Sequence, residues 1–483
     1  MNYDFVIIGG GSAGYAAART AAGAGLKTAV IEGGRDVGGL CILRGCMPSK
    51  SLIESANRFR AIGHAPEFGL QVENARFDTA KILARKRRLI DEFAEYRRQQ
   101  LKEGEFDFIR GTGSFIDKTT VRVRDLEGGE HTVTAKAFLV STGSEISFPD
   151  IPGLSTAGCL TSDDVLELER IPESLVVLGA GPVALELAHY LHAFGCRITI
   201  AQRSTQIARG FDEDAAKVVE QSFRKRGMNI FTKTKVLQVE SNGTTSRVIF
   251  EHEGIRQTVE AAAILNALGR KPKVAGLGLE NVGVELADGA IAVNAHQQTS
   301  APTIFAAGDC CGPFEIVHIA IEQGERAARN AVRLLQNDSG LESVDYRLKL
   351  YVVFTEPQVA VVGLSEFEAK AKNIDYLVAS YPFCDHGKSI IMDEMEGFVK
   401  LLADKSTGEI LGASVVGPDA SELIHEVVVA MRFHASAGQL ATTPHYHPTL
   451  SEIWLYPAEE LAGISPESAI ILPGTHKAAH SQA

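Results

Sequence analysis

The chain has 483 residues, of which 45% are hydrophobic and 22% charged, and its formal net charge is −12. This length predicts two to four domains, and the excess of acidic residues disfavours a protein that binds nucleic acid. No apolar run approaches the roughly 18 residues needed to cross a bilayer. A strand-and-glycine pattern begins almost at Met1, so we expect a cytoplasmic protein without a leader.

The first predicted elements are a strand, a glycine turn, an alanine-rich helix and a second strand, over residues 3–32. Gly9, Gly11 and Gly14 have the G-x-G-x-x-G spacing, which allows a tight turn, close approach to a pyrophosphate and close packing of helix on strand. The second strand ends at Glu32, whose carboxylate can accept hydrogen bonds from a ribose. Together these features predict a dinucleotide-binding unit.

Two cysteines, Cys41 and Cys46, follow in "GGLCILRGCMPSK". In a regular helix, residues five apart have Cα atoms roughly 8–9 Å apart, whereas a disulfide needs about 4.4–6.8 Å. The sulfurs can therefore bond only if this segment is a loop or a distorted helix, which Gly45 and Pro48 make credible. Zinc is disfavoured because no second Cys/His pair has finger-like spacing, and we expect no metal site. A structural staple would add little in a reducing compartment, so the pattern favours a redox pair beside a dinucleotide.

Residues 76–104 are charged and helical in pattern, and their basic run predicts a solvated face. Four short segments are predicted as loops at strand ends, where open α/β sheets bind ligands. These segments are Gly111–Phe115, Ser141–Ser144, Ala267–Pro272 and Ile304–Gly312, the last of which contains Asp309.

The strand–turn–helix–strand pattern returns at residues 174–203 and predicts a second bound dinucleotide. Its turn residues are Gly179, Gly181 and Ala184. The second strand of this unit leads to Gln202 instead of an acid, and Arg203 and Arg209 follow. An acid would repel a ribose 2′-phosphate, whereas guanidinium groups bind one. We therefore predict that NADPH is preferred over NADH.

From about residue 346, β-branched runs alternate with helical stretches and the glycine fingerprint is absent, which predicts a third type of domain. The predicted fold class is α/β, with two Rossmann-like dinucleotide-binding domains and a C-terminal α+β domain. The predicted domains are 1–145 together with 272–345, then 146–271, then 346–483.

The cysteine segment, the double fingerprint and "HYHPTLSE" (His445–Glu452) together make the chain resemble the flavin-dependent pyridine nucleotide–disulfide oxidoreductases. Dihydrolipoamide dehydrogenase, glutathione reductase and mercuric reductase belong to that family. The resemblance covers nearly the whole chain. It implies FAD on the first unit, a nicotinamide nucleotide on the second, and a C-terminal domain that forms a homodimer. It also implies that electrons pass between nicotinamide, flavin and a Cys41–Cys46 disulfide.

The same resemblance implies roles for individual residues. Cys46 is expected to contact the flavin and Cys41 to exchange with the substrate. Thiol–disulfide exchange needs a base that titrates near neutral pH, and the expected base is His447, reaching the cysteines of the partner subunit. Glu452 is expected to hold its other ring nitrogen.

Lys50 and Glu186 match family positions that pair near the flavin, and the adjacent Cys310 and Cys311 are expected to be packing residues. The remaining residues singled out are expected to contact the cofactors. The full set of expected cofactor contacts is Gly9, Gly11, Ser12, Ala13, Gly14, Glu32, Gly39, Lys50, Gly113, Thr142, Gly143, Gly308, Asp309, His318, Ala320, Gly179, Gly181, Ala184, Glu186, Arg203, Arg209 and Gly269.

The resemblance is strongest to dihydrolipoamide dehydrogenase, so the expected substrate is a small dithiol or disulfide, or a lipoylated carrier protein. A reductase like glutathione reductase is less favoured, because Glu325 stands where a basic residue would hold a glutathione carboxylate. A mercuric reductase is less favoured because no cysteine follows Trp454. Both NADPH-dependent reductases remain alternatives, and a flavoprotein redox sensor without turnover is a more remote one.

Overall fold

The structure is a computed structural model that describes residues 1–243 and 245–464. The chain forms two compact units, one of Met1–Thr205 with Gly227–Asp345, the other of Gln206–Arg226 with the chain from Tyr346 onward. The predicted third domain extends to residue 483, so its part at 465–483 lies outside the described residues. Within the described ranges, no helix is both long and apolar enough to cross a membrane.

The elements are numbered in chain order. The strands are β1 (Asn2–Ile8), β2 (Thr28–Glu32), β3 (Asp107–Asp117), β4 (Thr120–Asp125), β5 (Glu130–Val140), β6 (Ser144–Ile146), β7 (Ser174–Leu178), β8 (Arg197–Ala201), β9 (Asn229–Phe231), β10 (Thr234–Ser241), β11 (Ser246–His252), β12 (Ile255–Ala261), β13 (Ala263–Asn266), β14 (Arg270–Pro272), β15 (Leu286–Ala287), β16 (Ala290–Ile291), β17 (Ile304–Ala306), β18 (Leu350–Val353), β19 (Gln358–Gly363), β20 (Tyr376–Pro382), β21 (Phe398–Asp404) and β22 (Ile410–Gly417). The α-helices are α1 (Ser12–Gly23), α2 (Gly39–Arg44), α3 (Cys46–Gly63), α4 (Thr79–Lys102), α5 (Ser162–Val165), α6 (Pro182–Ala193), α7 (Glu213–Lys225), α8 (Val317–Leu335), α9 (Glu366–Ala371), α10 (Gly387–Ile391), α11 (Ala420–Arg432), α12 (Ala437–Ala441) and α13 (Leu455–Ile464).

The main sheet of the first unit has β1 at its centre, parallel to β2 on one side and to β5 on the other. Strand β3 lies beyond β2, and β17 lies beyond β5. Both faces of β1 are buried, as is usual for parallel strands. Phe5 and Ile7 pack in an alanine-rich cluster with α1 and α8, while Val6 and Ile8 pack with β3, β4 and β5. This burial holds the glycine turn after β1 in a fixed position.

The second predicted dinucleotide unit is also observed. Strands β13, β7, β8 and β9 form a parallel sheet in that order, and α6 connects β7 to β8. Strands β10, β11 and β12 form an antiparallel sheet. Pro182 is the first residue of α6, where its missing N–H costs no hydrogen bond. The strand–turn–helix–strand prediction is therefore confirmed.

One predicted loop is wrong. Residues 111–115 lie inside β3 and pair with β4. Their glycines fit close packing against β4, not a turn, because a Cβ on Gly111 would approach Val123 Cγ1 to 2.7 Å, and one on Gly113 would approach Val121 Cγ1 to 3.2 Å. The segment at 141–144 follows β5, and the segment at 267–272 follows β13 and ends in the short strand β14. The segment at 304–312 contains β17 and the loop after it.

The charged stretch at 76–104 is confirmed as helix α4, which begins after Asp78 accepts a hydrogen bond from the Lys81 backbone N–H at 3.1 Å. Most of its charged side chains are exposed, as predicted. Lys86 is different, because it is only 2% exposed and pairs with Glu167. A buried ammonium group requires such a partner, so this position is structural and not part of a solvated face.

The second unit is built on a five-stranded antiparallel sheet in the order β18, β19, β22, β21, β20. Trp454 is fully buried in its core and donates a hydrogen bond from Nε1 to the Leu423 carbonyl at 3.0 Å. Helices α11, α12 and α13 contribute to the same core. The predicted α+β character of this part of the chain is confirmed.

Segment 206–226, which contains α7, also belongs to the second unit. A buried cation explains this grouping. The Lys400 side chain on β21 is 3% exposed, and its Nζ lies 2.8 Å from carboxylate oxygens of both Asp212 and Asp214 and 3.1 Å from Glu366. The sequence-based boundaries, which assigned this segment to the second dinucleotide domain, stay a prediction.

Gly14→Ala should damage the first glycine turn. A Cβ at this position would lie 1.9 Å from the Gly9 carbonyl oxygen, a backbone atom fixed by the sheet. We expect the purified variant to lose most of its bound flavin and to melt at a lower temperature, measured by absorbance and calorimetry. Gly23→Ala is the matched control, because nothing lies within 4 Å of its added Cβ at the other end of α1. Wild-type flavin content in Gly14→Ala would contradict this account.

Candidate active site

The first glycine turn has the geometry of a nucleotide cradle. Gly9 has φ of +110°, a conformation that side chains disfavour. Helix α1 begins at Ser12, so its free backbone N–H groups form an anion site of the kind that binds phosphate. A Cβ on Gly39 would come 2.8 Å from the Gly11 Cα. The absence of a side chain at Gly39 therefore lets this segment pack closely against the turn. The cradle fits the pyrophosphate of the predicted FAD.

Glu32 supports this turn from the end of β2. One carboxylate oxygen accepts a hydrogen bond from the Gly10 N–H at 2.8 Å, and the other accepts one from the Gly34 N–H at 2.6 Å. A carboxylate oxygen can accept a second bond, so the predicted ribose contact is compatible with both. The sequence analysis missed the role of Glu32 in holding the turn itself.

Asp309 lies after β17 in a polar network that the sequence analysis did not predict. Its carboxylate accepts a hydrogen bond from Ser144 Oγ at 2.6 Å, and Ser144 in turn accepts one from Arg270 Nε at 2.7 Å. The buried Gln323 accepts a hydrogen bond from the Gly308 N–H at 2.7 Å. Ser144 fell within a predicted loop, but nothing in the sequence distinguished Gln323.

The other predicted contacts in this region lie in loops or on α8. Thr142 donates a hydrogen bond from Oγ1 to the Lys273 carbonyl at 2.6 Å. Gly143 and Gly269 have φ of +69° and +111°, so both positions favour glycine. Ala320 is buried on α8 and His318 is exposed on it. Their contacts with a cofactor stay a prediction.

The helix that carries the cysteine segment is interrupted between Cys41 and Cys46. Cys41 lies in α2, Cys46 begins α3, and Gly45 between the helices has φ of −128° and ψ of −114°. The distorted helix that a bond between these cysteines requires is thus confirmed. The Ser49 hydroxyl donates to the Gly45 carbonyl at 2.8 Å, which stabilises the break.

The two thiols interact directly and titrate differently. A hydrogen bond from Cys41 lowers the pKa of Cys46 to about 7, with help from the positive charge of Lys50 and against the effect of burial. The same hydrogen bond, together with burial, raises the pKa of Cys41. Cys46 is therefore the sulfur that holds a thiolate near neutral pH.

Lys50 and Glu186 are brought together as predicted. Lys50 lies one helical turn after Cys46 on α3, and its Nζ is 2.7 Å from a carboxylate oxygen of Glu186 on α6. The Glu186 side chain is only 6% exposed, and a buried carboxylate requires a cationic partner. This ion pair links the first dinucleotide unit to the second, directly beside the thiolate.

The second glycine turn repeats the geometry of the first. Gly179 has φ of +100°, and a Cβ on it would lie 2.4 Å from the Ala267 carbonyl oxygen. Gln202 follows β8 and donates a hydrogen bond from Nε2 to Ser204 Oγ at 2.5 Å. The two arginines of the predicted 2′-phosphate site, Arg203 and Arg209, are both exposed.

His447 and Glu452 form a close pair in the second unit. His447 Nδ1 donates to a Glu452 carboxylate oxygen at 2.9 Å, and the other oxygen accepts from the Thr449 N–H at 2.7 Å. These bonds lower the pKa of Glu452 against the opposing effect of burial. The His447 side chain is 80% exposed, so its Nε2 is available as a base when Nδ1 carries the proton.

Two other histidines of this unit have different surroundings. His445 is nearly buried, with Nε2 2.6 Å from Glu426, so it is a structural residue. His386 was missed by the sequence analysis. It is 2% exposed, its Nδ1 lies 2.9 Å from Ser389 Oγ, and burial lowers its pKa while the negative charge of Glu452 opposes the shift.

Cys310 and Cys311 are buried in the core of the first unit. The Cys310 thiol lies 3.4 Å from the Val140 carbonyl, and the Cys311 thiol lies 3.3 Å from the Gly308 carbonyl. These contacts are those of packed, hydrogen-bonded thiols, which agrees with the role predicted for them.

Known proteins share this fold and its motifs. Residues 3–324 match the pyridine nucleotide-disulphide oxidoreductase family, and residues 350–457 match its dimerisation domain, which indicates a homodimer. The chain is 33% identical to dihydrolipoyl dehydrogenase of Bacillus subtilis over 93% of this chain and 96% of that protein. It is 35% identical to dihydrolipoyl dehydrogenase of Chlamydia pneumoniae over 94% of this chain and 96% of that protein.

A solved structure is also similar throughout. The flavoprotein disulfide reductase RclA from Escherichia coli, in its Cu(II) complex, superposes with a TM-score of 0.83 at 27% identity, over 95% of this chain and 99% of that one. The motifs, the fold and these relatives agree. The chain belongs to the pyridine nucleotide-disulphide oxidoreductase family, whose members are FAD-dependent oxidoreductases that act on sulfur groups.

Proposed function

We propose that this enzyme catalyses electron transfer between a nicotinamide nucleotide and a lipoyl-type dithiol, as a dihydrolipoyl dehydrogenase does. The observation that carries the proposal is the Cys41–Cys46 pair at the break between α2 and α3, where the interaction with Cys41 lowers the pKa of Cys46. The substrate is a small dithiol or the lipoyl group of a carrier protein. The proposed compartment is the cytoplasm, where thiols are kept reduced.

The cysteines exchange with the substrate in two steps. A substrate thiolate attacks Cys41 Sγ of the oxidised pair, which breaks the Cys41–Cys46 bond and leaves Cys46 with the electron pair as a thiolate. The second substrate thiolate then attacks the substrate sulfur of the mixed disulfide. The substrate leaves as a disulfide, and Cys41 leaves as a thiolate that takes a proton. FAD, when bound, supplies the two-electron carrier between this dithiol and the nicotinamide.

The protons of the substrate thiols need a base. His447 of the partner subunit accepts them at Nε2, because Glu452 holds Nδ1 and so fixes the tautomer. One proton returns to Cys41 and the other goes to solvent. Cys46 needs no proton, because Lys50 and the Cys41 thiol stabilise its thiolate. Glu186 holds the Lys50 ammonium group in place.

The pH dependence of Cys46 alkylation tests the thiol pair. In the reduced wild-type enzyme, iodoacetamide labelling of Cys46, measured by peptide mass spectrometry, should rise with pH through a midpoint of about 7. Cys41→Ala removes the hydrogen-bond donor, so the midpoint should move up towards the ordinary value of about 8.5. Cys41→Ser keeps a donor and should stay near the wild-type midpoint. Identical midpoints in Cys41→Ala and wild type would contradict the assignment.

Substitution of the base should slow dithiol turnover selectively. His447→Gln should lower kcat for dihydrolipoamide by roughly 10²–10⁴-fold, the usual contribution of general acid–base catalysis. Reduction of ferricyanide by the nicotinamide nucleotide, which bypasses the cysteines, should change little.

The matched control is His434→Gln. His434 is an exposed histidine of the same unit, paired with Glu409 at 2.7 Å, and its loss should leave both activities intact. If His447→Gln and His434→Gln turn over dihydrolipoamide equally well, His447 is not the base.

We further propose that NADPH is preferred over NADH. The support is the absence of an acid at Gln202 and the exposure of Arg203 and Arg209, which can give charge-assisted hydrogen bonds to a 2′-phosphate. Dihydrolipoamide dehydrogenases usually prefer NAD, so this enzyme would differ from them in its nucleotide.

The double variant Arg203→Ala/Arg209→Ala should lose about a hundredfold or more in kcat/KM for NADPH, since hydrogen bonds to charged groups contribute about 1.5–3 kcal/mol each. Its kcat/KM for NADH should change less than about threefold. Steady-state assays with both nucleotides measure this. A wild-type preference for NADH, or equal losses with both nucleotides, would refute the proposal.

A further inference from the structure

A cavity of about 570 Å³ opens in the first unit between α3, the start of α4 and the residue that follows α6. Ligand pockets range from roughly 300 to 1,000 Å³, so a small organic molecule fits. The part of α3 from Glu54 to Ile62 lines the cavity. Ser55 lies roughly 13 Å along this helix from Cys46, at about 1.5 Å per residue. The cavity therefore lies away from the cysteine pair, and the roles derived above for the cysteines and the nucleotide turns use none of its lining residues.

One wall of the cavity is aromatic. The ring centre of Phe77 lies 5.4 Å from that of Phe59 and 4.7 Å from that of Phe194, and the centres of Phe59 and Phe194 are 5.5 Å apart. These distances are those of favourable aromatic pairs. Phe77 is nevertheless 41% exposed, and Ile62 beside it in the lining is 38% exposed. A ligand with an apolar body would remove this surface from water, which is favourable.

The rest of the lining carries more positive than negative charge. Four lining side chains are basic and two are acidic, namely Arg58, Arg76, Lys81 and Arg85 against Glu54 and Asp78. The difference, four minus two, leaves an excess of two positive charges. The chain as a whole has a net charge of −12, so a positive cavity is unusual for this protein and favours an anionic ligand.

The two acids pair with their own neighbours. Glu54 lies 2.7 Å from Arg58 on α3, and Asp78 lies 3.8 Å from Lys81 on α4.

The two remaining arginines of the lining keep an unneutralised charge. Within residues 1–243 and 245–464, neither Arg76 nor Arg85 makes an ion pair with an acidic side chain. Arg85 is held by neutral groups, because its Nη1 donates to Ser51 Oγ at 3.0 Å and to the Ser51 carbonyl at 3.3 Å. These bonds place the guanidinium group without cancelling its charge, so it can still bind an anion.

We propose that this cavity is a binding site for a small aromatic carboxylate. The flat apolar body lies against the rings of Phe59, Phe77 and Phe194. The carboxylate accepts charge-assisted hydrogen bonds from Arg76 and Arg85. A neutral aromatic molecule gains only the first interaction, and an inorganic anion gains only the second. The site goes beyond the proposed function and does not depend on which dithiol the enzyme uses.

The test compares 2-naphthoate with 2-naphthamide, which differ only in carboxylate against amide. Calorimetric titration of the holoenzyme should show about tenfold or more tighter binding of 2-naphthoate, since hydrogen bonds to charged groups are the stronger ones. The double variant Arg76→Gln/Arg85→Gln should weaken 2-naphthoate by about tenfold or more and 2-naphthamide by less than about threefold. Both arginines are exposed, so the variant should fold.

Arg88→Gln is the matched control for the charges. Arg88 is an exposed residue of α4 that pairs with Glu92 at 2.7 Å and lies outside the lining. Its loss should leave the binding of both probes unchanged.

Phe77→Ala tests the aromatic wall. This variant should weaken 2-naphthoate and 2-naphthamide alike, because it removes the ring that contacts both of the others. Phe68→Ala is the matched control, since Phe68 is 54% exposed and lies outside the lining. A saturating nicotinamide nucleotide should leave the affinity for 2-naphthoate unchanged, because neither glycine turn lines the cavity.

Three results would each overturn the inference. They are equal binding of the two probes, undiminished binding of 2-naphthoate to the double variant, and displacement of 2-naphthoate by the nucleotide. Failure to bind 2-naphthoate in an enzyme that turns over dihydrolipoamide would refute the site and leave the proposed function standing. Binding with the expected pattern in an enzyme that turns over neither dithiol nor disulfide would support the site and refute the proposed function.

Discussion

The pairing of Cys41 with Cys46 is the constraint on which the chemistry of this protein depends. It exists because the helical segment is interrupted at Gly45, which brings together two sulfurs that a continuous helix would hold apart. The interaction between the two thiols shifts their pKa values in opposite directions. Cys46 becomes the stable thiolate and Cys41 the protonated thiol, so one pair can both store electrons and exchange with a substrate.

The residues around the cysteine pair add to this difference between the two thiols. Lys50 lies beside Cys46 and is held by the buried Glu186, which belongs to the second dinucleotide unit. The Lys50–Glu186 ion pair thus places a positive charge beside the Cys46 thiolate. It also links the segments that carry the two nucleotide turns. Breaking such a pair leaves a buried charge without a partner, which is typically costly by about 3–5 kcal/mol. The electrostatic environment of the thiolate and the packing of the two nucleotide units are therefore coupled.

Local patterns in the sequence were enough to predict much of this arrangement. The glycine turns and the broken cysteine segment depend on residues close together in the chain, so spacing and residue type identified them. The His447–Glu452 pair was implied by the family resemblance. Gln323 and Arg270 could not be found in this way, because their partners are distant in sequence. The segment 111–115 was wrongly assigned to a loop, because glycine permits close packing of strands as well as turns.

The most direct test of the central claim is a count of reactive thiols at known positions. The holoenzyme is denatured in iodoacetamide under anaerobic conditions, either as oxidised or after reduction by its nicotinamide nucleotide, and the labelled peptides are identified by mass spectrometry. We expect Cys41 and Cys46 to be protected together in the oxidised enzyme and labelled together after reduction, with Cys159 and Cys384 labelled equally in both. Labelling of Cys41 and Cys46 that does not depend on reduction would contradict the claim that they form a redox pair.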